Sequence, residues 1–251
     1  MRGNIYARVP YARRRTPDGL TRAGECARGG RMARNTRTRP EPDVTALASG
    51  AAGRGLRVGL LGGSFNPAHG GHLNLSLAAL KRLELDRVWW LVSPQNPLKP
   101  DDGMAPFADR LASAAAMARH PRILASDVEA RLGTRFTADT LAALVRRYRC
   151  HDFVWLMGAD NLRQIPAWDR WSRIFHTVPV AVFSRPSYSL GALAGPAARR
   201  FRRHRLPEAM AGRLAGSEPP AWVFCHMRLD PTSASALRAR GAAWPPSPGE
   251  E

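Results

Sequence analysis

The stretch that decides the fold begins at Leu56 and reads LRVGLLGGSFNPAHGGH, ending at His72. Its opening residues form a short apolar run that predicts a buried strand, and Gly62 and Gly63 predict a tight turn after it. Leucines then recur at helical spacing over 72–83 and predict the first helix. Glycines allow the backbone to approach a ligand closely, and a helix N-terminus favours an anion. The stretch therefore predicts a strand, a ligand-binding turn and a helix.

The rest of the chain continues this alternation of strands and helices. Strands are predicted over residues 88–92, 122–125, 153–157, 178–183 and 222–225, and helices over residues 106–119, over 138–148 and from near Thr232. Such alternation favours a parallel sheet covered on both faces, with right-handed crossovers. The predicted fold class is therefore α/β, a Rossmann-like doubly wound parallel sheet in a single domain over residues 56–240, with its ligand crevice at the carboxyl ends of the strands.

The composition excludes several classes of protein. Hydrophobic residues make up 44% of the 251 residues, enough for a sizeable core. No run approaches the roughly 18 apolar residues of a membrane-spanning helix. The three cysteines, Cys26, Cys150 and Cys225, lie far apart without a C-x-x-C pair. This spacing excludes a disulfide scaffold and a Cys-rich zinc site, and it suits a reducing compartment, so we expect a cytoplasmic protein.

The formal net charge of +18 is concentrated in two peripheral segments. Residues 1–55 hold 12 arginines against four acidic residues and show no apolar periodicity, so we expect a disordered extension there. The segment from Arg185 to Arg213 holds seven basic residues and one acidic residue, and we expect a solvated loop or surface helix. Residues 241–251 are expected to form a flexible tail. Outside residues 1–55 and the segment from Arg185 to Arg213 the chain holds 19 basic and 15 acidic residues, so the part that carries the motifs is only mildly basic and nucleic acid is not the expected partner.

Two histidines three residues apart, His69 and His72, lie on one side of the predicted turn. Imidazole N–H groups there can donate to phosphate oxygens. The turn is neither the G-x-G-x-x-G pattern nor the Walker pattern, which disfavours a hydride-transfer enzyme and a P-loop NTPase. Taken alone, the glycines fit a plain tight turn and the histidines fit surface or N-capping roles. The complete string directly after a strand favours the functional interpretation.

The string from Gly62 to His72 resembles the G-G-[ST]-F-[DN]-P-x-H-x-G-H signature of the nucleotidylyltransferase superfamily. Members of this superfamily have a Rossmann-like fold and transfer a nucleotide from ATP or CTP to a phosphate or similar group. Asn66 stands where many members have Asp. Residues 232–238, with the sequence TSASALR, are similar to the superfamily's I-S-[ST]-T-x-I-R motif.

The second motif has a physical reason to bind phosphate. Ser233 and Ser235 open a predicted helix whose first N–H groups can hold an anion, and Arg238 adds a planar cation. The resemblance implies three catalytic residues, His69, His72 and Arg238. It also implies ATP binding by Gly62, Gly63, Ser64, Phe65, His69, His72, Gly158, Asp160, Ser233, Ser235 and Arg238.

The middle of the chain is similar to the bacterial nicotinate-nucleotide adenylyltransferases. The similarity lies in residues 94–100, 135–141, 158–162, 166–168 and 185–188. It implies that nicotinate mononucleotide is bound by Lys99, Phe136, Thr137, Trp168 and Arg185. An aromatic plane such as that of Trp168 suits a pyridinium ring. Trp168 also fits a core position beside Trp171, and Arg185 fits the start of the basic segment.

The resemblance implies an in-line attack of the nicotinate mononucleotide phosphate on the α-phosphorus of ATP. Mg²⁺ is expected as the cofactor, carried with ATP through substrate oxygens and water rather than by a protein metal site. Three alternatives stay open: a sibling transferase acting on nicotinamide mononucleotide, phosphopantetheine or glycerol phosphate; a basic nucleic-acid-binding protein; and a nucleotide-binding relative without turnover. The sequence leaves the preference between nicotinate and nicotinamide and the oligomeric state open.

Overall fold

The sheet of this protein is built from seven parallel strands. The computed structural model describes residues 55–94, 104–184 and 189–227. Within these ranges the strands are β1 (Arg57–Gly63), β2 (Arg87–Val92), β3 (Ile123–Ser126), β4 (Asp152–Gly158), β5 (Val180–Phe183), β6 (Arg205–Leu206) and β7 (Trp222–Cys225). They lie in the order β3-β2-β1-β4-β5-β7-β6, and every pairing is parallel. The Rossmann-like α/β fold predicted from the alternating pattern is confirmed. Only the two-residue β6 was not predicted.

Helices cover both faces of this sheet. In the described ranges they are α1 (Gly70–Arg82), α2 (Phe107–Met117), α3 (Val128–Leu132), α4 (Thr137–Arg147), α5 (Ala159–Gln164), α6 (Trp171–Thr177), α7 (Ser189–Leu193) and α8 (Pro196–Arg200). Shorter 3-10 helices cover Ile165–Ala167, Arg202–His204 and Glu208–Gly216. The three predicted helices in this part of the chain are confirmed as α1, α2 and α4. Helix α1 begins two residues before the predicted start because its cap is His69.

The strands carry two apolar layers, one on each face. Along β1, β2 and β4, successive side chains alternate between the layers, as the pleat requires. One layer includes Leu60, Trp89 and Trp155 under helices α4 to α8, and the other includes Leu61 and Trp90 under α1 and α2. Because both faces are covered, β1, β2 and β4 carry no charged residue after their first positions, Arg57, Arg87 and Asp152.

The topology places the predicted site at a switch point of the sheet. From β1 the chain crosses to β2 on one side, whereas from β4 it crosses to β5 on the other. Leu61 of β1 lies opposite Leu156 of β4, so the two strands end at the same level. In open parallel sheets the ligand crevice lies outside the carboxyl ends at this point. The turn after Gly63 and the turn at Gly158 are therefore neighbours.

Several predictions concern residues outside the described ranges. They include the extension over residues 1–55, apart from its last residue, the tail over 241–251 and the helix predicted from Thr232. In the described part of Arg185 to Arg213, Arg199, Arg200, Arg202, Arg203 and Arg205 are all exposed, which confirms the expected solvated surface there. Among the helices that the structure describes, none has the length and apolar character that a membrane crossing requires.

Candidate active site

The turn after β1 holds Phe65 in the left-handed backbone region, at φ 48°. Such a conformation is uncommon for a residue with a side chain and persists only when its surroundings enforce it. The Phe65 ring is buried and stacks on Trp90, with ring centroids 5.1 Å apart and an interplanar angle of 18°. Its ring also contacts the His72 ring at 4.7 Å. The turn is therefore anchored to the core through the Phe65 ring.

Gly62 is required because the Trp155 side chain of the neighbouring strand β4 lies close to its backbone. A Cβ atom added at Gly62 would lie 2.4 Å from Cη2 of Trp155, whose indole is buried. At Gly63 the nearest atom to an added Cβ is Cε2 of Phe65, at 3.4 Å. The first glycine thus makes room for a core aromatic directly beneath the predicted ATP site, whereas the second is under no such steric constraint.

Hydrogen bonds from backbone N–H groups hold both the His69 ring and the His72 ring in place. The His69 side chain caps helix α1, because its Nδ1 accepts the N–H of Gly71 at 3.1 Å. Nδ1 of His72 accepts the N–H of His69 at 3.2 Å, and the two rings lie 3.9 Å apart. A neutral imidazole that accepts at Nδ1 carries its proton on Nε2. Both rings therefore present Nε2–H as their donor. The N-capping and phosphate-binding interpretations are compatible because they use different nitrogens.

A buried polar chain supports the first turn of α1. The indole Nε1 of Trp90 donates to Oγ of Ser76 at 2.7 Å, and Ser76 in turn donates to the carbonyl of His72 at 2.8 Å. Both Trp90 and Ser76 are fully buried. The backbone that carries His72 is consequently fixed from the core side.

Asn66, which departs from the superfamily pattern, and Arg110, which the sequence did not single out, both form hydrogen bonds that support the turn. The Asn66 side chain accepts the N–H of Ala105 at 3.2 Å, a role that the carboxylate of Asp can also fill, so the departure from the superfamily pattern keeps this contact. Arg110 of α2 is buried and donates to four backbone carbonyls, including that of Ser64. No sequence motif marks an arginine whose side chain donates to backbone carbonyls.

The turn at the end of β4 carries the two other described residues of the predicted ATP site. Gly158 ends β4 and precedes α5, and Asp160 lies in the first turn of α5. Asp160 is partly buried. Gly62 and Gly63, predicted to form the turn, are the last residues of β1, and the turn follows them. Because β4 adjoins β1, that turn and this one belong to the same carboxyl edge. The structure thus brings together both glycine-containing parts of the predicted site.

Three of the residues predicted to bind nicotinate mononucleotide, Phe136, Thr137 and Trp168, lie in or next to two helices that pack together near Arg170. Phe136 immediately precedes α4 and Thr137 is its first residue, while Trp168 precedes α6, which packs against α4. The Arg170 guanidinium lies 5.9 Å from the centre of the Phe136 ring and pairs with Asp139 at 2.7 Å. Arg170 also pairs with Asp169, and hydrogen bonds to these two carboxylates raise its pKa. Trp168 is half-buried and packs against the core, as does Trp171.

A buried carboxyl group, Glu129 of α3, lies between the nicotinate-side helix and the end of β2. Burial raises the pKa of Glu129 to about 7, against the opposing effect of hydrogen bonds from Thr140 and Ser93. Oγ1 of Thr140 donates to its Oε1 at 3.2 Å, and Thr134 lies 2.8 Å from Thr140. Sequence reasoning did not single out this group, since a glutamate on a short helix has no pattern that indicates burial.

The remaining predicted site residues are Lys99, Arg185, Ser233, Ser235 and Arg238, and all five lie outside the described residues. Within residues 55–94, 104–184 and 189–227 no group of three or more His, Cys, Asp or Glu side chains could hold a metal ion. An open groove of about 980 Å³ is lined by Arg57, Arg82, Glu84 and their neighbours near the amino end of β1. None of the predicted site residues lines it, so it is not the predicted crevice.

Comparisons with known proteins place this geometry in a family. The family model described as cytidylyltransferase-like matches residues 60–240. The chain is 56% identical over 184 residues to a probable nicotinate-nucleotide adenylyltransferase of a Cereibacter sphaeroides strain, covering 73% of this chain and 97% of the relative. It is 57% identical over 187 residues to one of Parvibaculum lavamentivorans, covering 74% and 93%.

A solved structure shares the fold. Plasmodium falciparum nicotinic acid mononucleotide adenylyltransferase complexed with NaAD superposes with a TM-score of 0.54 at 15% sequence identity, covering 73% of this chain and 83% of that chain. At this identity the likeness shows the fold alone. The match of the family model over most of the chain, with relatives that are more than half identical, leads to one conclusion: the chain belongs to the cytidylyltransferase-like family.

Proposed function

We propose that this protein transfers the adenylyl group of ATP to nicotinate mononucleotide, forming nicotinate adenine dinucleotide and pyrophosphate in NAD biosynthesis. The observation that carries the proposal is the histidine pair at the start of α1, in which both Nδ1 atoms accept backbone N–H groups and both Nε2 atoms carry protons. Two fixed donors beside a glycine turn are suited to phosphate oxygens. The relatives that are 56% and 57% identical are named for this reaction.

The reaction needs no nucleophile from the protein. An oxygen of the mononucleotide phosphate attacks the α-phosphorus of ATP in line and forms a new P–O bond. The bond from the α-phosphorus to the bridging oxygen breaks, and the electron pair leaves with pyrophosphate. Because the attacking phosphate is already an anion, the contribution of the protein is positioning and stabilisation of charge.

The ATP phosphates are assigned to the histidine pair and the turn. His69 and His72 donate from Nε2 to phosphate oxygens, and the backbone N–H groups of Ser64 and Phe65 add donors at the turn. Gly62 and Gly63 let the backbone approach, and Gly158 and Asp160 bind the adenosine half. The helix start at Ser233 and Ser235, together with Arg238, completes the site in this proposal.

The nicotinate half is assigned to the α4 and α6 side of the crevice. Phe136, Thr137 and Trp168 face the pyridine ring, which stacks on the aromatic plane. Lys99 and Arg185 bind its phosphate or carboxylate. The support for this assignment is the contact network of Arg170, which holds the start of α4 against the Trp168 segment.

Mg²⁺ enters with the substrate in this proposal. ATP arrives as its Mg²⁺ complex, in which the metal binds phosphate oxygens and water, as is usual for this cation. It neutralises charge on the β- and γ-phosphates and so favours departure of pyrophosphate. The remaining partners are small molecules, and we place the reaction in the cytoplasm.

The test incubates the full-length chain with ATP and Mg²⁺ and adds, in separate reactions, nicotinate mononucleotide, nicotinamide mononucleotide, phosphopantetheine or glycerol phosphate. We expect pyrophosphate release with nicotinate mononucleotide and none above background with phosphopantetheine or glycerol phosphate. The ratio of the two pyridine mononucleotide rates gives the preference between them. His72→Ala should slow the reaction about 100-fold, since a preorganised donor is lost. No release with nicotinate mononucleotide would overturn the proposal.

A further inference from the structure

Arg110 is a buried cation beneath the turn that carries the predicted ATP site. Its side chain is 1% exposed, which is rare for arginine. Its guanidinium donates from Nη1 to the carbonyls of Ser64 and Ser93, each at 2.7 Å. Nη2 donates to the carbonyl of Pro94 at 2.7 Å, and Nε donates to that of Ala105 at 3.0 Å. One side chain thus joins three separate segments of backbone.

In the described part of the chain, the charge of Arg110 meets four carbonyl dipoles and the Phe107 ring, whose centre lies 5.5 Å from Cζ of Arg110. No carboxylate there forms an ion pair with it, and its pKa is lowered from the ordinary value by burial. A buried ion usually needs a partner of opposite charge, because removal from water is costly. Among the described residues no carboxylate neutralises this positive charge, and in a region of low dielectric its influence on a nearby anion is strong.

The bond to Ser64 fixes one peptide plane of the turn. A trans peptide is planar, so the carbonyl of Ser64 and the N–H of Phe65 point in opposite directions. Because Arg110 holds the Ser64 carbonyl, it directs the Phe65 N–H away from the core side. The same contact helps to enforce the left-handed φ of 48° at Phe65.

The bonds to Ser93 and Pro94 hold the end of β2 at the same point. The N–H of Ser93 also donates to the carbonyl of Gly63 at 3.0 Å, which joins the ends of β1 and β2 directly. Arg110 therefore sets the relative position of the Gly63–Phe65 turn and the first residues after β2. Lysine carries its three N–H donors on a single nitrogen, so it cannot donate to four carbonyls as the forked guanidinium of arginine does.

We propose that Arg110 is a positioning residue for the ATP phosphate site: it orients the Ser64–Phe65 peptide, so that the Phe65 N–H is fixed as a phosphate donor, and it places a positive charge beneath the phosphates. The inference rests on the proposed function, because it takes the turn to be the phosphate site. A purely structural arginine would affect the stability of the fold and leave the rate of the folded enzyme unchanged.

The experiment compares full-length Arg110→Lys and Arg110→Met with the wild type. Arg119→Met is the matched control, since Arg119 is exposed, follows the same helix, and its side chain donates to the nearby Ala116 carbonyl. Fold is checked by circular dichroism and thermal unfolding. The kinetic readout is kcat and the KM of each substrate, and calorimetry gives the dissociation constant of MgATP without the second substrate.

We expect kcat of Arg110→Met to fall about 100-fold, because misplaced donors cost rate. The KM of nicotinate mononucleotide should stay within about threefold, since none of the described residues assigned to its binding, Phe136, Thr137 and Trp168, is bonded to Arg110. Arg110→Lys keeps the charge but not the fork, and it should lose about tenfold in kcat and bind MgATP about tenfold more weakly. Arg119→Met should match the wild type in all of these measurements.

A folded Arg110→Met or Arg110→Lys variant with wild-type kcat and wild-type MgATP affinity overturns the proposal. If the methionine variant does not fold, the kinetics and MgATP affinity of the lysine variant test the proposal. If neither variant folds, Arg110 is required for folding and the proposal is wrong. The calorimetry separates this outcome from failure of the proposed function. A wild type that does not use nicotinate mononucleotide, together with weakened MgATP binding in Arg110→Lys, removes the substrate assignment and leaves Arg110 as proposed.

Discussion

The backbone N–H of His69 donates to Nδ1 of His72 across 3.2 Å, while Nδ1 of His69 accepts the N–H of Gly71. The two side chains thus close a capping box at the start of α1. The two nitrogens of each ring thus have different roles, since Nδ1 accepts a backbone N–H at the start of the helix and Nε2 is the proposed donor to phosphate. The two roles can be tested separately at His69, because asparagine can accept the Gly71 N–H but has no counterpart of Nε2.

His69→Asn should keep the helix cap and lose the phosphate donor. Asparagine is among the best N-cap residues, so its oxygen can accept the Gly71 N–H and unfolding should change little. The rate of adenylyl transfer should fall about 100-fold because one preorganised donor is removed. His69→Ala should lose the same rate and, in addition, about 1 kcal/mol of unfolding free energy. Chemical denaturation and pyrophosphate release measure the two effects. An Asn variant with near wild-type rate would contradict the role assigned to Nε2.

Gly62→Ala and Gly63→Ala should differ in stability although the substitution is the same. At Gly62 the new Cβ would lie 2.4 Å from the buried ring of Trp155, whereas at Gly63 its nearest contact is 3.4 Å. Overpacking of this kind costs about 1–3 kcal/mol. We therefore expect a lower unfolding free energy for Gly62→Ala only, measured by denaturant titration. Equal stabilities of the two variants would show that the Trp155 ring can move aside.

Glu129→Gln should change the pH dependence of stability. Burial raises the pKa of Glu129 to about 7 from 4.5. Between these values the folded protein keeps a proton that the unfolded chain releases, so the wild type loses stability as pH rises through this window. The loss is on the order of 3 kcal/mol and is complete above pH about 7. The unfolding free energy of Glu129→Gln relative to wild type should therefore rise by this amount from low to high pH.

Denaturant titrations of both proteins at pH about 5 and about 8 make that comparison, and the contributions of all other groups cancel in the difference. Thr140 can still donate to the glutamine oxygen, so the hydrogen bond at 3.2 Å is retained in the variant. Parallel stability curves for the two proteins would mean that Glu129 is ionised in the folded state.

Removal of the Arg170–Asp139 ion pair should weaken binding of nicotinate mononucleotide. Arg170 holds the start of α4 near the Trp168 segment, and both parts are assigned to the nicotinate half. Asp139→Asn should raise the KM of nicotinate mononucleotide while kcat stays near wild type, since the contact acts on binding rather than on the reacting phosphates. Arg131 and Asp127 form a comparably exposed pair, and Asp127→Asn is the control. A rise in the KM of ATP alone would contradict the assignment.

Local patterns account for what the sequence predicted. The apolar run, the two glycines and the leucine spacing lie within one short stretch, so β1, its turn and α1 follow without knowledge of distant contacts. The same holds for β2, β4 and β7, whose runs are continuous because both faces of the sheet are covered. Strand β6 was missed because two residues, Arg205 and Leu206, are too few to show a period.

Long-range contacts account for the features that could not be predicted from the sequence. Arg110 lies 46 residues from Ser64 in sequence, and it binds backbone carbonyls, which every residue has. Glu129 is polar by composition and buried by tertiary packing. Arg170 takes its role from Asp139 on another helix and from a left-handed φ of 46°. In each case the partner is fixed by the fold rather than by a neighbouring residue.

The choice of histidine as the cap of α1 has an electrostatic consequence. Helices usually begin with Asp, Ser, Thr or Asn, and acidic residues are common in the first turn because they compensate the positive end of the helix dipole. Helix α1 has no acidic residue in its first turn, and its cap is an uncharged ring nitrogen. The first turn of α1 thus contributes no negative charge against the positive potential at this end. This potential stays available to a bound polyanion, and a carboxylate at residue 69 would secure the helix but repel the phosphates.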